Sequence, residues 1–231
     1  MKNTYVSVDL ETTGLNPKHD KIIEIGAVKV VNGKITEAFE SFVNPHRKLS
    51  AQVMELTHIS DEQLLHAPEI EDVLKCFLEF AGDEILLGHR ILFDYSFLKR
   101  AAVNSNLSFE RQGIDTLKLA RKYLPDLESK RLPFLCSYYQ IDYVAHRALE
   151  DARASHLVYQ RLAKEFDAEA DFKPQALIYR VKKEAPASKH QKERLSNLIE
   201  RHKLTVDYEV DSLTKNEVSR YTDKILAMYG R

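Results

Sequence analysis

Asp9 and Glu11 stand two residues apart in the stretch "YVSVDLETTGL", residues 5 to 15, at the end of an apolar run. Residues two apart on a strand point to the same face, so both carboxylates are aimed at one spot. A solvated pair, or a cap on the following turn, is one reading of this pattern. A site built to concentrate negative charge is the other, and three further groups share its chemistry. Asp94 follows the run "ILLGHRILF" directly, and a carboxylate beside Leu92 and Phe93 needs a partner to offset its desolvation. Asp151 lies on the rim of a helical stripe, Ala148, Ala152, Ser155, Tyr159 and Leu162, that faces the core. His146 stands five residues ahead of Asp151. Four converging carboxylates repel one another unless cations sit between them, and an all-oxygen ligand set suits Mg2+ or Mn2+ rather than zinc. Two such ions roughly 4 Å apart can hold a phosphodiester, one activating the attacking water and the other stabilising the leaving oxygen. A histidine that titrates near neutrality can take the proton of that water.

The elements that must position these groups are legible from periodicity and punctuation. Residues 4 to 10, 21 to 31 and 35 to 43 read as three consecutive strands, the second closed by the turn pair Asn32-Gly33 that marks a hairpin. "IEDVLKCFLEFAG" has helical spacing and ends at Gly82, "EILLGH" is a short buried strand, and "LFDYSFLKRAAVNSN" is helical again. "TLKLARKYL" and "LPFLCSYYQ" give two more helices, with Pro125 and Pro133 as punctuation, and "ALEDARASHLVYQRLAKEF" a longer one. Strands first, then helices interrupted by one or two strands, argue for a mixed sheet flanked by helices. From about Asp171 the character changes. The stretch 171–188 carries Pro174, Pro186 and a charge cluster and reads as a linker, followed over 189–231 by two amphipathic segments with Thr214 as a candidate cap for the second. The expected organisation is therefore a body over 1–170, a linker, and a small C-terminal helical appendage.

The totals restrict the function classes less than their distribution does. Thirty-four basic and 35 acidic residues in 231 give a net charge of -1, which by itself implies neither a nucleic-acid nor a membrane partner. From Lys173 onward, however, 13 Lys and Arg face 8 Asp and Glu, a net of +5, so an acidic body carries a basic tail. In that tail Lys189, Lys192, Arg194, Arg201, Lys203, Lys215, Arg220 and Lys224 are groups that could meet phosphates. Docking of the two helices on the body, or self-association, is the alternative role. Cys76 and Cys136 lie in apolar helical contexts and read as reduced core residues rather than a disulfide or a thiolate metal site. No apolar run approaches the ~18 residues of a membrane span and no basic-then-apolar leader precedes the first strand, so a cytoplasmic protein without a membrane partner is expected. Among the histidines, His58 in "LTHIS" and His89 stay ambiguous, while His19, His46, His66, His156, His190 and His202 read as surface residues.

Taken together, "VDLETTGL" with "IIEIGAV", then "GHRILFDYSFL", then "HRALEDA" resemble the three motifs of the DEDDh family of 3′–5′ exonucleases, the likeness being greatest to the proofreading exonuclease of bacterial DNA polymerase III and its stand-alone relatives. The likeness spans roughly residues 4 to 165. It implies an RNase H-like fold with a five-stranded mixed sheet whose second strand is antiparallel to the rest. It also implies a metal-dependent enzyme that releases nucleoside monophosphates from the 3′ end of single-stranded DNA. RNA trimming is the alternative within enzymes, and a catalytically silent nucleic-acid-binding module the alternative outside them. Carried over position by position, the resemblance has Asp9 bridging two metals, Glu11 and Asp151 completing one ion's site, Asp94 supporting the other, and His146 as general base. The backbone of Thr12 and Thr13, together with Gly14, would meet the terminal nucleotide, with Leu15 and Phe93 packing on the terminal bases. His89 is either a substrate contact or a hydrogen-bonded, partly buried histidine. Arg90 stands where the second motif commonly has asparagine, and it either reaches a substrate phosphate or pairs with an acidic group. A polymerase or repair machinery is the implied protein partner.

Overall fold

The computed structural model describes residues 3–166 and 170–230; Met1, Lys2, residues 167–169 and Arg231, all inside expected segments, lie outside the described residues. The chain opens with a meander of β1 (Tyr5–Thr12), β2 (Ile22–Val31) and β3 (Lys34–Phe42). Asn32 and Gly33 both have left-handed φ, 51° and 78°, as a tight hairpin turn requires. Next come α1 (Ala51–Thr57), α2 (Asp61–Leu65), α3 (Ile70–Ala81), β4 (Leu86–Gly88), α4 (Leu92–Asn104), β5 (Gln112–Asp115), α5 (Thr116–Tyr123), α6 (Leu132–Tyr138) and α7 (Ala148–Phe166). The two-residue β6 (Gln175–Ala176), α8 (Lys189–Arg201) and α9 (Lys215–Tyr229) complete the chain, with a 3-10 turn at Val210–Ser212.

The sheet order is β3-β2-β1-β4-β5-β6. Strand β1 pairs antiparallel with β2 and parallel with β4, β4 pairs parallel with β5, and β2 pairs antiparallel with β3. Within these five strands β2 is thus the one that runs against the rest. The sheet has six strands rather than the five expected, because Gln112 and Gly113 of β5 also pair with β6. A pair of residues is too short to carry an alternating pattern, so it left no trace in the sequence reading.

Alternation along β1 sends Tyr5 into one core, beneath α5, α6 and α7, and Val6, Val8 and Leu10 into the other, beneath α3 and α4. Ser7 lies on the α7 side, where its hydroxyl donates to the Ala152 carbonyl at 2.7 Å. The stripe Ala148, Ala152, Ser155, Tyr159 and Leu162 is buried throughout. One position in α7 departs from expectation. His156, read as a surface residue, is 3% exposed, with Nδ1 2.8 Å from the buried Tyr5 hydroxyl. Cys136 is a free core thiol, whereas Cys76, also read as core, lies on the exposed face of α3.

The stretch read as a linker is fastened to the body along its length. Phe172 is fully buried in the α7-side core, Leu177 and Tyr179 pack on the opposite core, and Glu184 pairs with Arg100. Beyond it α8 and α9 enclose a core of their own, formed by Ala187, Leu195, Leu198, Leu213, Val218 and Ile225. Thr214 caps α9 in a capping box with Glu217, as its position suggested. Among the described residues no helix is long and apolar enough to cross a membrane.

Candidate active site

Ligand atoms of Asp9, Glu11 and Asp151 all lie within 4.8 Å of one another. Three features of the backbone bring them together. Asp9 and Glu11 share the α7-facing side of β1, and the register of β1 against β2 shifts after Glu11, where Thr12 opposes Ile22 instead of Ile23. Such an irregularity re-aims side chains at a strand end. Asp9 is in register with Gly26, over which the first turn of α7 descends. A Cβ on Gly26 would lie 2.0 Å from the Leu149 amide nitrogen and 2.1 Å from the Ala148 carbonyl carbon, so only glycine admits the helix there. Asp151, 8% exposed, then sits in the first turn of α7, where its carboxylate accepts the Arg147 N–H at 3.1 Å.

Asp94 reaches the same strand end from α4. It is 2% exposed, and its carboxylate accepts the Leu10 N–H at 3.1 Å, which ties the helix start to β1 beside Asp9. His146 immediately precedes α7 in a left-handed conformation, φ 64°, that turns the chain into the helix. The carboxylates of Asp9, Glu11 and Asp151 thus meet at the end of β1, with Asp94 bonded to the same strand and His146 at the turn that leads into α7.

Without a counter-cation, the carboxyls of this cluster are driven toward their protonated forms. Burial, and then the charges of Asp94, Asp151, Glu11 and Glu24, push Asp9 well above the ordinary carboxylate range. Burial, with Asp151 and Glu24, pushes Glu11 up to about 8. Burial raises Asp94 as well, against the opposing hydrogen bonds from backbone amides. Asp151 rises to about 6 by burial, opposed by the neighbouring His146 charge. The nearest guanidinium does not neutralise the site: Arg147 bonds Glu24 at 2.9 Å and Glu40 at 3.0 Å instead. An all-oxygen cluster with depressed acidity fits hard divalent cations.

Glu24 is the functional residue the sequence reading missed. Fully buried opposite Glu11, it accepts the Ala148 N–H at 3.1 Å and two N–H groups of Arg147, at 3.2 and 2.9 Å, so one carboxylate pins the start of α7 to β2. Its signal was present as an acidic residue inside the apolar run "IIEIGAV". Tyr143 was also missed. Burial raises its hydroxyl pKa, and the charge of Asp151 adds to the effect.

The expected substrate contacts divide. Leu15 is 80% exposed, and Gly14 lies against the Asp20 carboxylate, which would have to shift to admit a Cβ. Thr12 spends its hydroxyl on the Gly14 carbonyl at 2.7 Å. Thr13 donates its N–H to the Lys21 carbonyl at 2.9 Å. His89 is the hydrogen-bonded histidine of the two readings: its ring nitrogens lie 2.9 Å from the Thr116 hydroxyl and 2.8 Å from the Lys130 carbonyl, and burial lowers its pKa. Arg90 is exposed and left-handed, φ 75°, with its N–H on Asp115 at 3.0 Å and its guanidinium 5.7 Å from the Phe93 ring centre. That backbone conformation costs a side-chain-bearing residue about 1 kcal/mol or more.

Residues 6–159 match the Exonuclease family, and that match contains every one of these groups. The chain belongs to the exonuclease family. Within it the exonuclease is similar to the "DNA polymerase III PolC-type" of Bacillus subtilis (strain 168), 42% identical over 168 residues, which cover 71% of this chain and 12% of that protein. The corresponding Staphylococcus saprophyticus protein is 41% identical over 167 residues, again 71% of this chain and 12% of the relative. The chain thus spans only about an eighth of the length of the curated relatives it matches. Among solved structures, Exonuclease X in complex with 5′-overhanging duplex DNA superposes with a TM-score of 0.59 at 26% identity, covering 73% of this chain and 96% of that one. The nuclease domain of 3′hExo, a DEDDh family member bound to rAMP, gives a TM-score of 0.62 at 21% identity over 75% of this chain and 96% of that one, a likeness of fold. The family match and the fold agree on an exonuclease, and the acidic cluster fits divalent metal.

Proposed function

We propose that the exonuclease removes nucleotides one at a time from the 3′ end of single-stranded DNA, releasing nucleoside monophosphates. The observation that carries this reading is the convergence of Asp9, Glu11 and Asp151 within 4.8 Å, with Asp94 bonded to the same strand end. These four carboxylates would hold two divalent cations, Mg2+ or Mn2+, which would supply activation of the attacking water and neutralisation of charge at the phosphate and leaving oxygen. His146, at the mouth of α7, accepts the proton of the water that attacks phosphorus, and the 3′ oxygen of the preceding nucleotide leaves. The Thr13 carbonyl and the Thr12-Thr13-Gly14 backbone locate the terminal sugar, while Leu15 and Phe93 pack on the last bases. Arg90, carried beside the Phe93 ring at the cost of a strained backbone, contacts a phosphate. His89 shapes this turn from within. The setting is cytoplasmic, with a DNA polymerase or repair machinery as the protein partner.

The test is incubation of 5′-labelled single-stranded DNA, duplex DNA and RNA of one sequence with the chain and Mg2+. A descending ladder that forms fastest on single-stranded DNA is expected. A ladder confined to RNA would replace this substrate with RNA 3′ ends, and the absence of any ladder would point to a catalytically silent binding module.

A further inference from the structure

Away from the acidic cluster, Glu217 in the first turn of α9 is a buried carboxylate, 3% exposed. It closes its own helix: one oxygen accepts the Thr214 N–H and hydroxyl, each at 2.9 Å. Its other oxygen leaves the C-terminal module altogether and receives Lys21 Nζ at 3.0 Å and Arg47 Nη2 at 3.2 Å from the body. Burial disfavours its charge, yet Lys21 and the Thr214 hydrogen bonds outweigh that and hold its pKa below the usual carboxylate value.

The two partners are attached to the loop that leaves β1. Lys21 exchanges both of its backbone groups with Thr13, accepting the Thr13 N–H at 2.9 Å and donating its own to Thr13 Oγ1 at 3.0 Å. Arg47 donates Nη1 to the His19 carbonyl at 2.9 Å. Inside the loop, Asp20 accepts the Asn16 N–H at 2.8 Å against the face of Gly14. The module is also laced to the body by backbone, since Lys48 N–H donates to the Asp207 carbonyl at 2.7 Å and Glu209 N–H to the His46 carbonyl at 3.1 Å. Residues 13–21 are therefore a closed loop whose exit is fastened by one buried anion from the far end of the sequence.

We propose that Glu217 is a positioning residue for the exonuclease: through Lys21 and Arg47 the C-terminal module braces the loop after β1, so that Thr13 and Leu15 meet the 3′-terminal nucleotide already ordered. This rests on the reading of Thr13 and Leu15 as substrate contacts. A loop ordered in advance does not draw its ordering entropy from binding energy, whereas His146 and the carboxylates lie on other elements and are untouched by the brace. Loss of the brace therefore appears in KM and leaves kcat in place.

The experiment uses the full chain. Glu217→Gln removes the charge but keeps a residue that serves equally well in a capping box, so the module stays folded. Lys21→Met removes the partner from the body side. Each variant should raise KM for a single-stranded oligonucleotide about tenfold with kcat within about twofold of wild type, and the double variant should be no worse than either alone. Amide exchange at Thr13 should quicken in both single variants, while exchange in α7 stays as in wild type. Unchanged Thr13 exchange in both variants, or additive effects on KM in the double variant, would overturn the proposal. The exchange measurement needs no substrate, so it decides the brace even if the wild-type chain shortens no oligonucleotide and the substrate reading falls.

Discussion

At the residue scale, the converging carboxylates are a burden to the metal-free chain. Glu11 is pushed up to about 8 and Asp151 to about 6, first of all by burial. A group whose folded pKa is raised contributes stability that is full below its unfolded pKa, about 4 for a carboxylate, and is lost as pH rises through the folded value. His156 acts in the opposite sense. Burial lowers it to about 4, so the unfolded chain takes up its proton first and stability rises with pH between about 4 and 6.5. Above pH 6.5 only the raised carboxylates of this set still titrate. The melting temperature in chelator should therefore fall from pH 6.5 to pH 8, and Mg2+ should raise it most at pH 8; a chelated melting temperature that climbs over this interval would contradict the cluster's protonation. The general base is tested separately. His146→Ala should lower the hydrolysis rate by about 10²–10⁴-fold with Mg2+ affinity, read by calorimetry, unchanged. A wild-type rate with wild-type pH dependence would leave His146 a purely structural turn residue.

At the scale of elements, the decisive contact is between α7 and β2. Glu24 satisfies the Ala148 amide at the helix start, and Gly26 leaves room for the first turn, so Asp151 and His146 arrive beside β1 together. Gly26→Ala forces the helix off the strand. Overpacking of this kind costs about 1–3 kcal/mol, and the expected result is a melting temperature lower by several degrees together with a loss of rate out of proportion to the unfolded fraction. A variant with wild-type melting temperature and rate would show that the helix can ride over β2 without cost. The chemistry of this junction was legible in part. Asp9, Glu11 and Asp94 stood out as charges at the ends of apolar runs, Asp151 as a charge on the rim of a core-facing stripe, and His146 by its spacing from Asp151. Glu24, a charge in the middle of such a run, carried a signal too, but its partners, Arg147 and Ala148, are more than 120 positions away in sequence and hid its role.

At the scale of the whole molecule, the body was legible because its strands alternate and its helices carry clear stripes. The hairpin at Asn32-Gly33 and the buried face of α7 follow from local patterns alone. The path from Phe172 to Pro186 was not legible. Prolines and charges mark it as a linker, but three of its apolar residues, Phe172, Leu177 and Tyr179, find cores that only the folded body offers. The docking of α9 on the loop after β1 was equally hidden, since Glu217 reads locally as an ordinary helix-capping residue and its partners Lys21 and Arg47 lie near the other end of the chain. Everything nonetheless turns on one strand end. The most direct measurement follows a 5′-labelled single-stranded oligonucleotide with Mg2+, using wild type and Asp9→Asn side by side with their melting curves in chelator. Wild type should give a ladder descending from the 3′ end that chelator abolishes, while Asp9→Asn should give none and should melt at or above the wild-type temperature, because the amide is neutral without taking up the proton that the buried carboxyl needs. Near-wild-type hydrolysis by Asp9→Asn at saturating Mg2+ would contradict the metal platform.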